Sequence, residues 1–239
     1  MGDATLIWSY LAEGPLLWLT ATLLAYLAGD AVSRAAGRHS LANPVLIAVA
    51  VLAGLLTITR TDYATYFQGA QFVHFMLGPA TVALALPLYD NLSRLRRVAL
   101  PMLAALVVGS GVAVVSALAI AKGFGIEGSV LASLAPKSTT APVAIGIAEQ
   151  LGGQPTLAAV LVLLTGIFGA VIVTPLLNVL KIRDWRARGF AVGVAAHGIG
   201  TARAFQVNAT AGAFSGIGMG LNAVLTAIIA PAALRLFGG

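Results

Sequence analysis

The sequence predicts an all-α, polytopic membrane bundle, and three observations predict it. The 239 residues are 59% hydrophobic and only 9% charged, with a mean hydropathy of +0.95, far outside the composition of a soluble domain. Apolar segments of about 20 residues, long enough to span a hydrocarbon core, follow one another through short polar joints. Lysine and arginine gather in those joints, so the net charge of +6 reads as membrane topology and not as a nucleic-acid surface. One domain over residues 1–239 is expected. The absence of cysteine excludes disulfides and thiolate metal sites. The start MGDATLIWSY carries Asp3 and no basic run, so the first hydrophobic segment is expected to be a retained span and not a cleaved signal.

Spans are expected at Leu6–Leu27, Pro44–Thr59, Ala70–Tyr89, Val98–Ala121, Thr156–Leu180, Gly189–Phe205 and Ala211–Leu236, about seven crossings in all. The joints fall into a basic set (Arg34, Arg38; Arg94, Arg96, Arg97; Lys181, Arg183, Arg186, Arg188) and a sparse set (Arg60; Lys122). The basic set should be cytoplasmic.

Between the fourth and fifth spans stands SVLASLAPKSTTAPVAIGIAEQ, Ser129 to Gln150. Pro136 ends a helix near Ala135, because it lacks a donor and restricts the residue before it. Ser138, Thr139 and Thr140 are natural N-caps for a second helix, with Pro142 in its first turn. If this stretch crossed, the joint KIRDWRAR would share a side with the sparse joints. A re-entrant hairpin restores the charge bias, with its 135–140 tip held inside protein or a water-filled cavity. A Pro-kinked crossing is the alternative. The hairpin topology puts the N-terminus outside and the C-terminus inside.

Two other spans look interrupted, at Gly78–Pro79 with Thr81 following, and at Gly198 and Gly200 with Thr201 following. The spans from Pro44 to Ala121 and from Thr156 to Leu236 then form two triplets of opposite direction, each with a broken middle member. Inverted repeats with broken helices are a transporter architecture. Gly189 with Gly193, and Gly216 with Gly220, give G-x-x-x-G spacings that suit close packing within the subunit.

The chemistry concentrates at the breaks. Lys137 at membrane depth costs at least a few kcal/mol and calls for a partner or cavity; its alternative is a shallow tip and a side chain reaching the headgroups. Free N–H groups at the second hairpin helix add partial positive charge, so a small organic anion fits the site better than a cation. His197, just before the Gly198 break, can bond a ligand or carry a proton, whereas His74 in FVHF suits packing. Arg203 either meets substrate or snorkels. Thr81, Ser138, Thr139, Thr140 and Thr201 can bond a substrate oxygen, cap a half-helix, or both. Asn222 is an amide deep in the last span and suits bridging between helices or substrate contact. No acidic residue lies convincingly within a span, and no H-E-x-x-H or paired carboxylate occurs, so no enzyme, catalytic residue, metal or cofactor is expected. A coupling H⁺ or Na⁺ remains open.

The runs LAPKSTTAPVAIGIAEQLGG, ARGFAVGVAAHGIGTARAF, GAFSGIGMGLNAVLTAIIAP and LGPATVALALPLY, taken in their order over most of the chain, resemble the LrgB/CidB family. The resemblance implies one of two roles. One is a carrier of small monocarboxylates of the glycolate, glycerate, pyruvate or lactate type, like the LrgB-like part of the plastidic glycolate/glycerate translocators. The other is a holin/antiholin-like modulator of murein hydrolase activity and lysis. It also implies a multi-pass protein of the bacterial cytoplasmic membrane that acts beside an LrgA-like small membrane protein. A homo-oligomer is expected, and a structural subunit docking the LrgA-like partner is a third class. A carboxylate would meet Lys137 and the 138–140 helix start, with its second oxygen near Thr81 or Thr201.

Overall fold

The computed structural model describes residues 14–76 and 92–238, a few single positions between them, and only the backbone over 92–97. All regular structure among the described residues is helical: α1 (Pro15–Ala35), α2 (Pro44–Thr59), α3 (Tyr63–Phe75), α4 (Leu92–Gly123), α5 (Gly128–Leu134), α6 (Ala141–Gln150), α7 (Pro155–Val179), α8 (Trp185–Val207) and α9 (Ala209–Leu236). The chain divides into two compact units, residues 1–81 and 82–239. Among the described helices, α1, α4 from Val98, α7 and α9 are long and apolar enough to cross a membrane, and α2 is apolar but shorter.

In the first unit, Pro15 opens α1 where a missing N–H costs nothing. This helix runs to Ala35 instead of ending at the expected Leu27. Asp30 is accommodated in the extra turns by pairing with Arg34 at 3.2 Å and Arg38 at 2.7 Å. Asn43 caps α2 through Val45 N at 2.9 Å and Leu46 N at 3.2 Å. Asp62 caps α3 through Thr65 N at 3.2 Å, so that helix starts at Tyr63 and not at the expected Ala70. Trp18 of α1 meets Tyr66 of α3 edge to face, 5.9 Å between ring centres. Gly78 and Thr81 lie outside the described residues, and the break expected there does too.

The second unit contains the hairpin read from the sequence. Helices α5 and α6, of 7 and 10 residues, rise about 10 and 15 Å at 1.5 Å per residue, and neither spans a core of about 30 Å. Their outer ends are tied together. The Gln154 amide N–H donates to Ser133 Oγ at 2.7 Å, and Gln154 Nε2 donates to Ser129 Oγ at 3.0 Å. Residues 129 and 154 therefore share one end, so the segment doubles back and does not cross.

Helix α8 departs from expectation. A span with one break is anticipated over Gly189–Phe205, but the backbone reverses at His197, whose φ of 40° and ψ of −135° are not helical. The two arms, 185–196 and 198–207, lie side by side. Trp185 and Val207, which a straight helix would hold about 33 Å apart, line the same small cavity with Val192 and Ala204. A Cβ at Gly200 would touch the side chains of Val192 and Ala196 on the other arm. Residues 185–207 thus form a second re-entrant hairpin in place of the expected sixth crossing.

The two hairpins enter from opposite ends. Helices α4 and α9 run parallel: their first halves meet the outgoing arm of α8 through Met102, Leu106, Phe190, Val194, Phe214 and Ile217. Their last halves enclose the first hairpin through Val114, Leu118, Leu131, Ile147, Ala230 and Leu234. A Cβ at Gly238 would stand 3.6 Å from Lys122 Nζ. The C-terminus therefore emerges beside Lys122, at the end opposite the basic 181–188 joint, and the expected cytoplasmic C-terminus is overturned. One residue's reversal has removed a crossing.

Candidate functional site

The tip of the first hairpin is built from Pro136 to Thr140. Thr139, fully buried, donates its hydroxyl to Pro136 O at 2.9 Å, closing the turn that Pro136 starts. Thr140 occupies the N-cap of α6, but its side chain makes no cap bond. Its Oγ1 is buried with no partner among the described residues, and the residue is 8% exposed. The first turn of α6 is left with free N–H groups, less the one Pro142 lacks. Lys137 Nζ donates to Ser138 Oγ at 3.2 Å, and among the described residues no carboxylate pairs with it.

Asn222 sets the tip's depth. It is 1% exposed and stands at the middle of α9. Its Nδ2 donates to Ser138 O at 2.9 Å, while Oδ1 accepts from Ser110 Oγ of α4 at 2.5 Å and from Thr226 Oγ1 at 3.3 Å. Ser110 is likewise central in α4. The tip thus reaches mid-height of two spanning helices, which places Lys137 deep and not at the headgroups.

The second tip is His197. Its Nε2 lies 2.9 Å from Val162 O of α7. Its carbonyl accepts from Thr201 Oγ1 at 2.8 Å, and Thr201 Oγ1 also meets Ser215 Oγ of α9 at 2.8 Å. Glycines make room: a Cβ at Gly166 would strike the His197 ring, and one at Gly169 would strike Ala196. A non-glycine residue at positive φ stores strain that surrounding contacts must hold, a pattern typical of functional sites. Lys137 is near enough for its charge to act on the His197 ring, so the two tips face each other across the interior.

Of the residues singled out in the sequence, Lys137, Ser138, Thr139, Thr140, His197, Thr201 and Asn222 belong to these two tips or their supports. Arg203 does not. It is 8% exposed, buried and not snorkelling, and lies between the arms of α8 in a cavity it shares with Arg188, Trp185 and Thr174. Arg188 donates there to Asn178 Oδ1 at 2.9 Å and Ile182 O at 3.0 Å and lies over Trp185. Thr81 is outside the described residues. Sequence reading missed Ser110 and Ser215, each a lone hydroxyl in an apolar run with no local signal. It also missed the Ser129–Ser133–Gln154 clasp, although all three are polar residues at the hairpin's base.

Outside the hydrocarbon, at the basic end, Asp184 caps α8 by accepting from Arg186 N at 2.8 Å and pairs with the Arg186 guanidinium at 2.6 Å. Those bonds hold its carboxyl down to about 2. At the other end Lys122 pairs with Glu127 at 2.8 Å and holds that carboxyl below its ordinary range.

Spanning apolar helices around two opposed hairpins with buried polar tips define a polytopic integral membrane protein. The LrgB-like family model matches residues 22–236, and the chain belongs to that family. It is 37% identical to the Bacillus subtilis protein YwbG over 88% of this chain and 93% of that one. It is 31% identical to the holin-like protein CidB of Staphylococcus epidermidis over 83% of this chain and 87% of that one. With CidB of Staphylococcus aureus the identity is 32%, over 82% and 85%. No solved structure matches.

Proposed function

We propose that this chain acts as a holin-like protein that governs small-solute passage across a bacterial cytoplasmic membrane. The name of the staphylococcal relatives supports this reading most directly. A second, narrower reading is favoured by one geometric observation, the meeting of two hairpin tips from opposite ends around a buried lysine with no described counter-charge. That arrangement suits secondary transport of small monocarboxylates of the glycolate, glycerate, pyruvate or lactate type, coupled to H⁺ or Na⁺ or run by exchange. In it the carboxylate lies against Lys137, the Thr140 hydroxyl and the open first turn of α6. Thr139 and Thr201 hold the tips, and His197 contacts the solute's second oxygen or a coupled proton. The pairs α4 with the first hairpin and α7 with the second are the natural halves of an inverted repeat. An LrgA-like partner and a homo-oligomer are compatible with both readings.

One experiment separates them. Liposomes carrying the protein are loaded with a trapped fluorescent dye and given labelled glycolate or pyruvate. A holin-like pore releases dye in proportion to protein. A carrier retains dye and shows saturable uptake that Lys137→Ala and Thr140→Val abolish, with both variants shown folded by thermal melt. Neither leakage nor uptake would count against both readings and leave a subunit that needs its partner.

A further inference from the structure

Along α4 and the outgoing arm of α8 runs a furrow of about 460 Å³, on a face separate from the two tips. Its walls are stripes of small residues: Ala105, Gly109 and Ala113 on α4, and Ala187, Ala191 and Ala195 on α8. From Val98 to Ala113 it extends about 22 Å at 1.5 Å per residue, somewhat more than half of a hydrocarbon core of about 30 Å. That is the reach of one leaflet. The walls close on each other at Gly109, where a Cβ would stand 3.3 Å from Val194 Cγ1, so a helix about 10 Å wide cannot seat in it. A hydrated organic anion gains nothing from its apolar lining. A flexible hydrocarbon chain suits both the width and the chemistry.

The mouth of the furrow selects the head group. Asp184 and Arg186 line it, and the bonds between them use Nε and Nη2 of Arg186 and not Nη1. The same joint carries Lys181, Arg183 and Arg188, and Val98, at the outer end of α4's wall, directly follows Arg94, Arg96 and Arg97 in the chain. Cations outnumber the one carboxylate, and a basic joint beside a slot between helices is the arrangement that holds anionic lipid heads. We propose that the furrow binds one anionic phospholipid, its acyl chain on the alanine stripes and its phosphate at the basic end.

The test counts lipids. Native mass spectrometry of the full chain, purified in mild detergent and exposed to equal phosphatidylglycerol and phosphatidylcholine, is expected to show one retained phospholipid per chain. The anionic lipid should be favoured about fivefold, as one basic group near a lipid surface provides. Ala191→Phe and Ala105→Phe, filling the slot from different walls, should lose it, while Val108→Phe, at a position 65% exposed on α4, should keep it. Arg186→Gln should lower the phosphatidylglycerol preference and leave phosphatidylcholine retention as it was. Equal phospholipid in wild type and in whichever Phe variants run as monodisperse wild-type-like particles would overturn the proposal. So would an absence of head-group preference, or displacement of the lipid by a co-purifying helical polypeptide.

Discussion

Asn222 links three segments with one amide, and its replacement tests whether that link sets the hairpin's position. Asn222→Ala orphans the Ser138 carbonyl and the Ser110 hydroxyl, each loss costing about 1–3 kcal/mol in a buried setting. Interhelical bonds in membranes average nearer 0.6 kcal/mol, so a total of about 2 kcal/mol is expected, read as a lowered thermal midpoint in detergent. His197 offers a sharper comparison. Glycine accepts its backbone angles freely, so His197→Gly should be more stable than His197→Ala by about 1 kcal/mol, both variants having lost the bond to Val162 O. If alanine is the better tolerated of the two, the reversal is not at this residue. Asp184 supplies the pH dependence. Its folded carboxyl lies at about 2 against an ordinary 3.8, so its contribution is fully present above about pH 4 and lost as the pH falls towards 2. Water screens the exposed ion pair, leaving mainly the cap. Asp184→Asn should cost about 1 kcal/mol or less at neutral pH, with no difference from wild type near pH 2. The tip residues of the first hairpin were legible because proline, lysine and hydroxyls are conspicuous in an apolar run. Ser110 and Ser215 were not, because a single serine in a span reads equally as bonded to its own helix.

At the scale of elements, glycine decides which helices can touch. A Cβ at Gly193 would strike the Ser215 carbonyl and Met219 N of α9, and one at Gly189 the Ala211 carbonyl; backbone cannot yield as a flexible side chain can. Gly193→Val should therefore lower stability by about 2 kcal/mol or more. Gly220, in the companion G-x-x-x-G spacing, has open space at its Cβ position, and Gly220→Ala should raise stability by up to about 1 kcal/mol through helix propensity. A thermal melt of both variants checks the pair, and equal effects would contradict the packing described. The sequence showed glycine spacing on both helices but carried nothing to tell a contact from a lipid-facing gap. Element starts that depend on a cap, such as Asp62 before α3, were also misplaced, because the run of apolar residues begins later than the helix.

For the second unit as a whole, the charge bias of the joints predicted the first hairpin correctly and missed the second. The stretch 185–207 is long enough in residues to cross, and its glycines announced a break without its angle. A straight kink and a full reversal leave the same trace in composition. The consequence is testable because the natural chain has no cysteine. Single cysteines at Gln154 and Gly238 should react with an impermeant maleimide from the same face of sealed vesicles, and one at Lys181 only from the other. Labelling of Gly238→Cys together with Lys181→Cys would restore a sixth crossing and remove the second hairpin.

The turn at His197 has a consequence for how such chains diversify. Whether the strand count through the bilayer is odd or even after that point depends on the torsions of a single residue, and with it the compartment in which every later residue emerges. A point substitution that straightened the turn would flip the parity of the tail while leaving almost every side chain's local surroundings intact. Relatives of near-identical hydropathy profile can therefore end in different compartments, and orientation should be assigned from the residue at the reversal before it is assigned from the profile.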